Sequence, residues 1–271
     1  MYTLISKTGE RIIPGNFESR DEYLLWLRHL FAYKFAQDIT PKDSFVLEVG
    51  CGEGYGTSLL SKNVAKIIGL DIDNKTILHA SKKYESRNCI FKLYDGKNIP
   101  YSNDTFDVVI SFHVIEHIKE DLNYISEIYR VLKKNGLLII TTPNRTYRLK
   151  PGQKPFNRFH VREYNPQELE KTLKNKFLDV KLWGISGTVN INKLEIERIK
   201  KILRIISLDP FNFRRLIPES IKISIIKILK TNILIDNDDK KSISLKYSLA
   251  DYYIIKDHIE ESLELLGICN K

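Results

Sequence analysis

Two groups of residues in this 271-residue chain have types and spacing that could do chemistry. The first is the run Glu48-Val49-Gly50-Cys51-Gly52-Glu53-Gly54-Tyr55-Gly56, at the end of a short apolar stretch over 45–49. A missing Cβ lets a backbone adopt positive φ and approach a ligand closely, so such a turn accommodates a nucleotide. Asp71 follows Gly52 by nineteen residues, after a second apolar stretch over 66–70. That is close to the ~20-residue spacing at which an acid accepts hydrogen bonds from ribose hydroxyls. The second group is His113, Glu116 and His117, at i, i+3 and i+4, which share one face if the segment is helical. Two imidazoles and a carboxylate fit a general base with its orienter, a divalent cation site completed by His160, or a helix cap with a packing role.

These residues need a scaffold, and the periodicities supply an α/β one. An apolar stripe at Tyr23, Leu24, Leu27, Leu30, Phe31 and Phe35 predicts a helix within 18–37. Strands are predicted over 45–49, 66–70, 89–93, 105–112, 137–141 and 177–183. Helices between them are predicted over 74–84, with Asp73 as N-cap, over 120–133, and over 165–175 behind Asn165-Pro166. Asn135-Gly136 ends the second of these, where left-handed geometry costs little. Further strand candidates come only after 244, over 251–256 and 263–269, so 187–243 reads as an insertion before the last strand. His29 and Tyr33 fit either a lid over the glycine turn or the edge of the core.

Glycine spacing narrows the nucleotide. A dinucleotide fingerprint G-x-G-x-x-G fails, because its sixth position is Tyr55 counted from Gly50 and Thr57 counted from Gly52, and no G-x-x-x-x-G-K-[ST] run is present. The pattern E-x-G-x-G-x-G, with Glu48 first, resembles motif I of the class I S-adenosylmethionine-dependent methyltransferases. Tyr94-Asp95-Gly96, Phe106-Asp107, Arg130-Val131-Leu132-Lys133 with Gly136, and Thr142-Pro143-Asn144 resemble the family's later motifs, in order. Glu10 to Pro14, His29 to Ala36, Ser111 to Ile118 and Phe159 to Tyr164 are similar to a bacterial and archaeal subgroup found with glycan pathways.

The resemblance implies a doubly wound, seven-stranded, mostly parallel sheet in a Rossmann-like methyltransferase fold. A helical cap would span 1–40, the core 41–186 and 244–271, and a helical insertion 187–243. It implies S-adenosylmethionine as cofactor, with S-adenosylhomocysteine as product. Cofactor contacts would come from Glu48, Gly50, Gly52, Gly54, Asp71, Ile72, Asp95, Gly96 and Ser111, with Asp95 accepting from the adenine amino group. His113 or His117 would be the base and Glu116 its orienter, with His160, Arg162 and Asn144 on the acceptor. Some relatives hold magnesium with E-x-x-E-H and a later histidine. Here His113 replaces the first Glu, and magnesium prefers oxygen ligands, so Glu116, His117 and His160 are the metal alternative.

Composition bounds the setting. The chain opens without a basic region leading into a long apolar stretch, and no 18-residue apolar window occurs, which predicts a soluble cytosolic protein. Cys51, Cys89 and Cys269 lie too far apart for a zinc spacing or a disulfide framework. Net charge is +9, and ten bases face four acids over 189–230. Such an excess suits phosphate polymers, anionic lipid surfaces and acidic substrates alike. Apolar positions Ile221, Ile225, Ile228, Leu229 and Leu234 among lysines suggest an amphipathic helix, as an acceptor-site lid, a homodimer contact or a peripheral membrane anchor.

The expected activity is O-methylation of a sugar, a glycan or another small polyhydroxylated acceptor, lipid-linked if the basic helix lies on a membrane. An RNA methyltransferase is the alternative the charge suggests, although no RNA-binding module is recognisable. A non-catalytic binding protein that keeps the fold is the third reading.

Overall fold

The computed structural model describes residues 14–15, 17, 19–157, 159–207 and 246–271. Its centre is an eight-stranded sheet in the order β3-β2-β1-β4-β5-β8-β6-β7. These strands are β1 (Phe45–Val49), β2 (Lys66–Asp71), β3 (Cys89–Leu93), β4 (Phe106–Phe112), β5 (Leu132–Pro143), β6 (Asp179–Gly187), β7 (Tyr252–Ile255) and β8 (Glu264–Asn270). Pairings among the first five strands are parallel, and β8 inserts antiparallel between β5 and β6. The chain reverses its strand order at β1 and β4, so the loops after these strands open on one crevice, where open α/β sheets bind ligands.

Helices cover both faces. On one side lie α1 (Arg20–Ile39), α2 (Tyr55–Leu60) and α3 (Asn74–Tyr84), where Leu24, Leu27, Ala36, Leu60, Ile77 and Ala80 pack on Val46, Ile67 and Val108. On the other lie α4 (Asp121–Val131) and α6 (Pro166–Lys174), where Ile125, Ile128, Leu169 and Leu173 meet Leu47, Ile68, Val109 and Leu138. Alternation along each strand sends neighbouring side chains to opposite faces, and both are apolar because both are covered. Local chemistry fixes the helix starts. Ser19 and Asp73 cap α1 and α3, and Asn165 forms a capping box with Glu168 ahead of Pro166.

Some elements differ from their expected bounds. The sheet gains an eighth strand, β7, paired antiparallel with β6 at the edge. α4 stops at Val131 and the chain enters β5 directly, since Leu132 pairs with Phe106 and an irregularity follows before Leu137 meets Val108. Asn135 takes the left-handed conformation, φ 64°. β6 runs to Gly187, and α7 (Val189–Ser207) opens the stretch assigned to the insertion. The proposed helix at 221–234 and residues 10–13 lie outside the described residues. Among the described residues no helix is long and apolar enough to cross a membrane.

Candidate active site

The glycine turn joins β1 to α2. Gly50, Gly52 and Gly54 have φ of 79°, 50° and 79°, a region side chains rarely adopt. The first and last are also confined by packing: a Cβ on Gly50 would lie 2.3 Å from Val114 Cγ2, and one on Gly54 2.7 Å from Phe91 Cε1. A Cβ on Gly52 would meet nothing within 4 Å. The middle of the turn thus faces open space, as a cradle for a bound nucleoside requires. The amides of Gly50 and Cys51 both donate to the Leu70 carbonyl, at 2.7 and 2.9 Å, which fastens the turn to β2.

Asp71 closes the same crevice. Its Oδ2 accepts from the Gly52 amide at 3.0 Å and its Oδ1 from the Asp73 amide at 2.9 Å. Each carboxylate oxygen has a second lone pair, which leaves capacity for ribose hydroxyls. Ile72 is 67% exposed, and the Cα of Gly96 comes so near that a Cβ there would be 3.1 Å from Ile72 Cγ2. Asp95 accepts from the amides of Lys97 and Asn98, and these bonds hold its carboxyl below the usual range. These residues suit an adenosine.

Two expected cofactor contacts lie elsewhere. Glu48 is buried beneath the turn, where it accepts hydrogen bonds from the Tyr33 and Thr57 hydroxyls. Burial pushes its carboxyl up to about 7, against the pull of the two hydroxyls. Glu48 therefore ties α1 to α2 and supports the turn from below. Tyr33 belongs to the core rather than to a lid: its ring lies on Gly56, where a Cβ would sit 2.0 Å from it. Ser111 is fully buried, with its hydroxyl 2.8 Å from that of Tyr124, because its side chain points into the sheet face covered by α4.

The histidine group forms at the carboxyl end of β4, but not on a helix. His113 has φ 55°, and only Ile115–His117 form a single 3-10 turn, so the expected common face does not exist. The residues divide into two clusters around Glu116. On one side His113 Nδ1 is 3.3 Å from Glu116 Oε1, its Nε2 is 3.1 Å from Glu264 Oε1, and its ring stacks on His29. On the other, His117 Nδ1 is 3.0 Å from the Phe159 carbonyl, its ring meets His160 edge-on, and His160 Nδ1 is 2.8 Å from Glu163 Oε1. Glu116 is fully buried, and its Oε2 accepts from the Thr142 hydroxyl at 3.0 Å.

Electrostatics separates the two sides. Burial pulls His113 down, but Glu264 and Glu116 outweigh it and hold the imidazole at about 9, so it is a cation at neutral pH. Both carboxyls stay ionised: burial opposes this, and His113, joined by Arg28 beside Glu264, overrides it. Burial and the neighbouring His113 charge push His29 well below the ordinary histidine range. A protonated His113 cannot accept a proton, which corrects its expected role as base. At His117 a carbonyl can only accept, so Nδ1 carries a hydrogen and Nε2 is the ring nitrogen left to face the crevice.

Two acceptor contacts are also relocated. Asn144 is fully buried and donates to the carbonyls of Ile259, Glu260 and Ser262, while its Oδ1 caps α5 (Arg145–Arg148). Arg162 pairs with Asp121 at 2.6 Å and donates to the Lys119 carbonyl, so it braces the loop that carries His160. Sequence reasoning missed Glu264 and Arg28, whose Nε is 2.5 Å from Glu264 Oε1. A signal existed: each charge stands in a run otherwise destined for the core, Leu263-Glu264-Leu265-Leu266 and Leu24 through Leu27-Arg28.

Glu116, His117 and His160 bring ligand atoms within 4.8 Å of one another. The donor set does not fit magnesium, because it offers one carboxylate oxygen and two imidazole nitrogens, and Glu116 Oε2 already holds Thr142.

Comparison with known proteins agrees with this geometry. A family model described as a methyltransferase domain matches residues 47–140. A protein of Mycolicibacterium smegmatis named a probable S-adenosylmethionine-dependent methyltransferase is 37% identical over 175 residues, 64% of this chain and 65% of the relative. A likewise named protein of Mycobacterium tuberculosis is 35% identical over 185 residues, 67% of this chain and 65% of the relative. The chain thus spans just under two thirds of the length of these relatives. The crystal structure of a SAM-dependent methyltransferase from Thermotoga maritima has the same fold, with a TM-score of 0.57 at 16% identity over 93% of this chain and 95% of that one. Residues 47–140, which hold the glycine cradle and the acid beside it, thus match a methyltransferase domain, and the chain is similar over about two thirds of its length to proteins named as probable S-adenosylmethionine-dependent methyltransferases.

Proposed function

We propose that the protein methylates a hydroxyl of a sugar, glycan or other small polyhydroxylated acceptor. The observation that carries this reading is the state of the buried carboxylates beside the crevice. Glu264 Oε2 is buried with no hydrogen-bond donor, and Glu116 Oε1 has His113 Nδ1 at 3.3 Å as its partner, with further lone pairs to offer. A buried acceptor without a donor costs about 1–3 kcal/mol, more when charged, and an acceptor molecule carrying several hydroxyls supplies such donors. An anionic acceptor would meet two carboxylates and gain nothing from them.

S-adenosylmethionine, when bound, supplies a methyl group on a positively charged sulfur, open to in-line displacement. The residues of the chain bind and orient. Gly52 leaves room for the nucleoside, Asp71 offers its remaining lone pairs to the ribose, and Ile72 with Gly96 forms an apolar ledge for the adenine. Glu116, held by Thr142, and Glu264, held by Arg28, accept from the acceptor's hydroxyls and fix its orientation. His117 Nε2 takes the proton of the reacting hydroxyl, and His160 against its ring limits its rotation. A lipid-linked acceptor at a membrane surface is supported by the basic excess over 189–230.

The test is transfer of labelled methyl from S-adenosylmethionine to glycosides, lipid-linked saccharides and transfer RNA in parallel. Label in a glycoside or saccharide, lost in His117→Ala, is the expected result. Label confined to RNA, or cofactor binding without transfer to any of them, would sink the reading.

A further inference from the structure

We propose that His29, His113 and Glu264 form a binding site for one divalent transition-metal ion of the zinc or cobalt class. Each offers one ligand atom, and these atoms lie within 4.8 Å of one another. The set is distinct from Glu116, His117 and His160, and it joins three parts of the chain: α1, the end of β4 and the start of β8. Two imidazoles and a carboxylate suit borderline cations such as zinc, with bonds of about 2.0–2.2 Å.

Three features distinguish this from a chance gathering. Glu116 Oε1 stands 3.3 Å from His113 Nδ1 while Nε2 points at Glu264, which is the carboxylate–histidine–metal arrangement in which an outer acid fixes ring orientation and raises basicity. Glu264 is fully buried, and Arg28 and His113 both face its Oε1, while Oε2 has no hydrogen-bond donor, so the ion would take the oxygen that an acceptor hydroxyl takes in its absence. Arg28 is also shared with Glu195, 3.8 Å away, so it does not neutralise Glu264 alone. Finally, the His113 amide donates a hydrogen bond to the Thr141 carbonyl and the residue sits at φ 55°, a left-handed conformation side chains rarely adopt, which directs its ring between the two acids. Ligands on a common ion at such bond lengths are roughly 3.4 Å apart, so the rings of His29 and His113 close on Glu264 when the ion binds. His113 gives up its proton to solvent in the same step. A doubly charged cation then replaces a singly charged one between two carboxylates.

The experiment titrates cobalt(II) into the chelator-stripped full chain and reads the visible ligand-field absorption, with no need for methyl transfer. The expected result is saturation at one equivalent with proton release, and paramagnetically shifted signals from the His29 and His113 rings. His29→Ala, at a partly exposed position, should weaken binding at least about 100-fold, and His160→Ala should leave the titration unchanged. The shifted histidine signals identify the ligands in the wild-type chain, so the outcome does not hang on any variant folding. Absence of the band at one equivalent would overturn the proposal, as would shifts confined to His117 and His160.

Discussion

The ring of His29 lies flat against that of His113, with centroids 4.2 Å apart and planes 12° from parallel. Glu116 and Glu264 hold the charge on His113, and a second cation stacked at that distance would be repelled, so His29 stays neutral. The folded-state value of His113, about 9, exceeds its unfolded value of 6.5. Its contribution to stability is therefore complete below pH 6.5 and is lost as pH rises through about 9. Urea unfolding between these limits should show the loss, and Glu264→Gln should lower the His113 titration seen by NMR. A His113 ring titrating at or below 6.5 would contradict this account.

Glu48 gives a second window with a different residue in control. Its carboxyl is raised from 4.5 to about 7, so the folded state holds the proton that the unfolded state has released. The Glu48 contribution to stability is complete below pH 4.5, falls toward pH 7 and then levels, by about 3 kcal/mol over the whole window. Glu48→Gln keeps an acceptor for one of the two hydroxyls and offers the other an amide donor, and with no group left to titrate it should flatten that slope in a denaturant series. An unchanged slope would show that another group is responsible.

The glycines of the turn should separate under substitution. Gly50→Ala combines positive φ with a clash against Val114 and should cost several kcal/mol of stability, on the order of 3. Gly52→Ala has room and should cost only about 1–2 kcal/mol, from its φ alone. Its Cβ enters the cradle, however, so S-adenosylhomocysteine affinity should fall at least about tenfold by calorimetry. Equal affinity in Gly52→Ala and wild type would place the nucleoside elsewhere.

Asp71→Ala removes the acceptor of the Gly52 and Asp73 amides as well as the proposed ribose partner. Calorimetry should record a loss of cofactor affinity on the order of 100-fold, about 2.7 kcal/mol. Retained affinity would argue against the crevice as the cofactor site.

His117→Ala and Arg162→Ala should differ in kind. His117→Ala should lower kcat by about 100-fold or more without changing cofactor affinity, as expected for loss of a general base. Arg162→Ala breaks the contacts to Asp121 and Lys119 and should lower the melting temperature while leaving the acceptor KM near wild type. A selective rise in KM would return Arg162 to the acceptor.

Much of the scaffold was legible because its signals are local. The positive φ of Gly50, Gly52 and Gly54, the caps at Asp73 and Asn165, and the strand alternation around Leu47 and Ile68 depend on residues within a few positions of each other. The spacing from Gly52 to Asp71 carries slightly further, since one helix and one parallel strand have nearly fixed lengths. The extra strand β7 was visible as a strand but not as an edge, because pairing partners lie outside any sequence window.

By itself, then, the sequence determined a glycine cradle, an acid beside it and a histidine-rich loop after β4, all properties of short backbone segments. Only the tertiary structure decided what those histidines are. His113 became a cation because β8 delivers Glu264 to the buried place where Glu116 already stands, and His117 lies on the other side of Glu116 because a left-handed residue replaced the expected helix. Charge state depends on burial and on every ion within a few ångströms, and those neighbours come from strand ends that meet only in the folded chain.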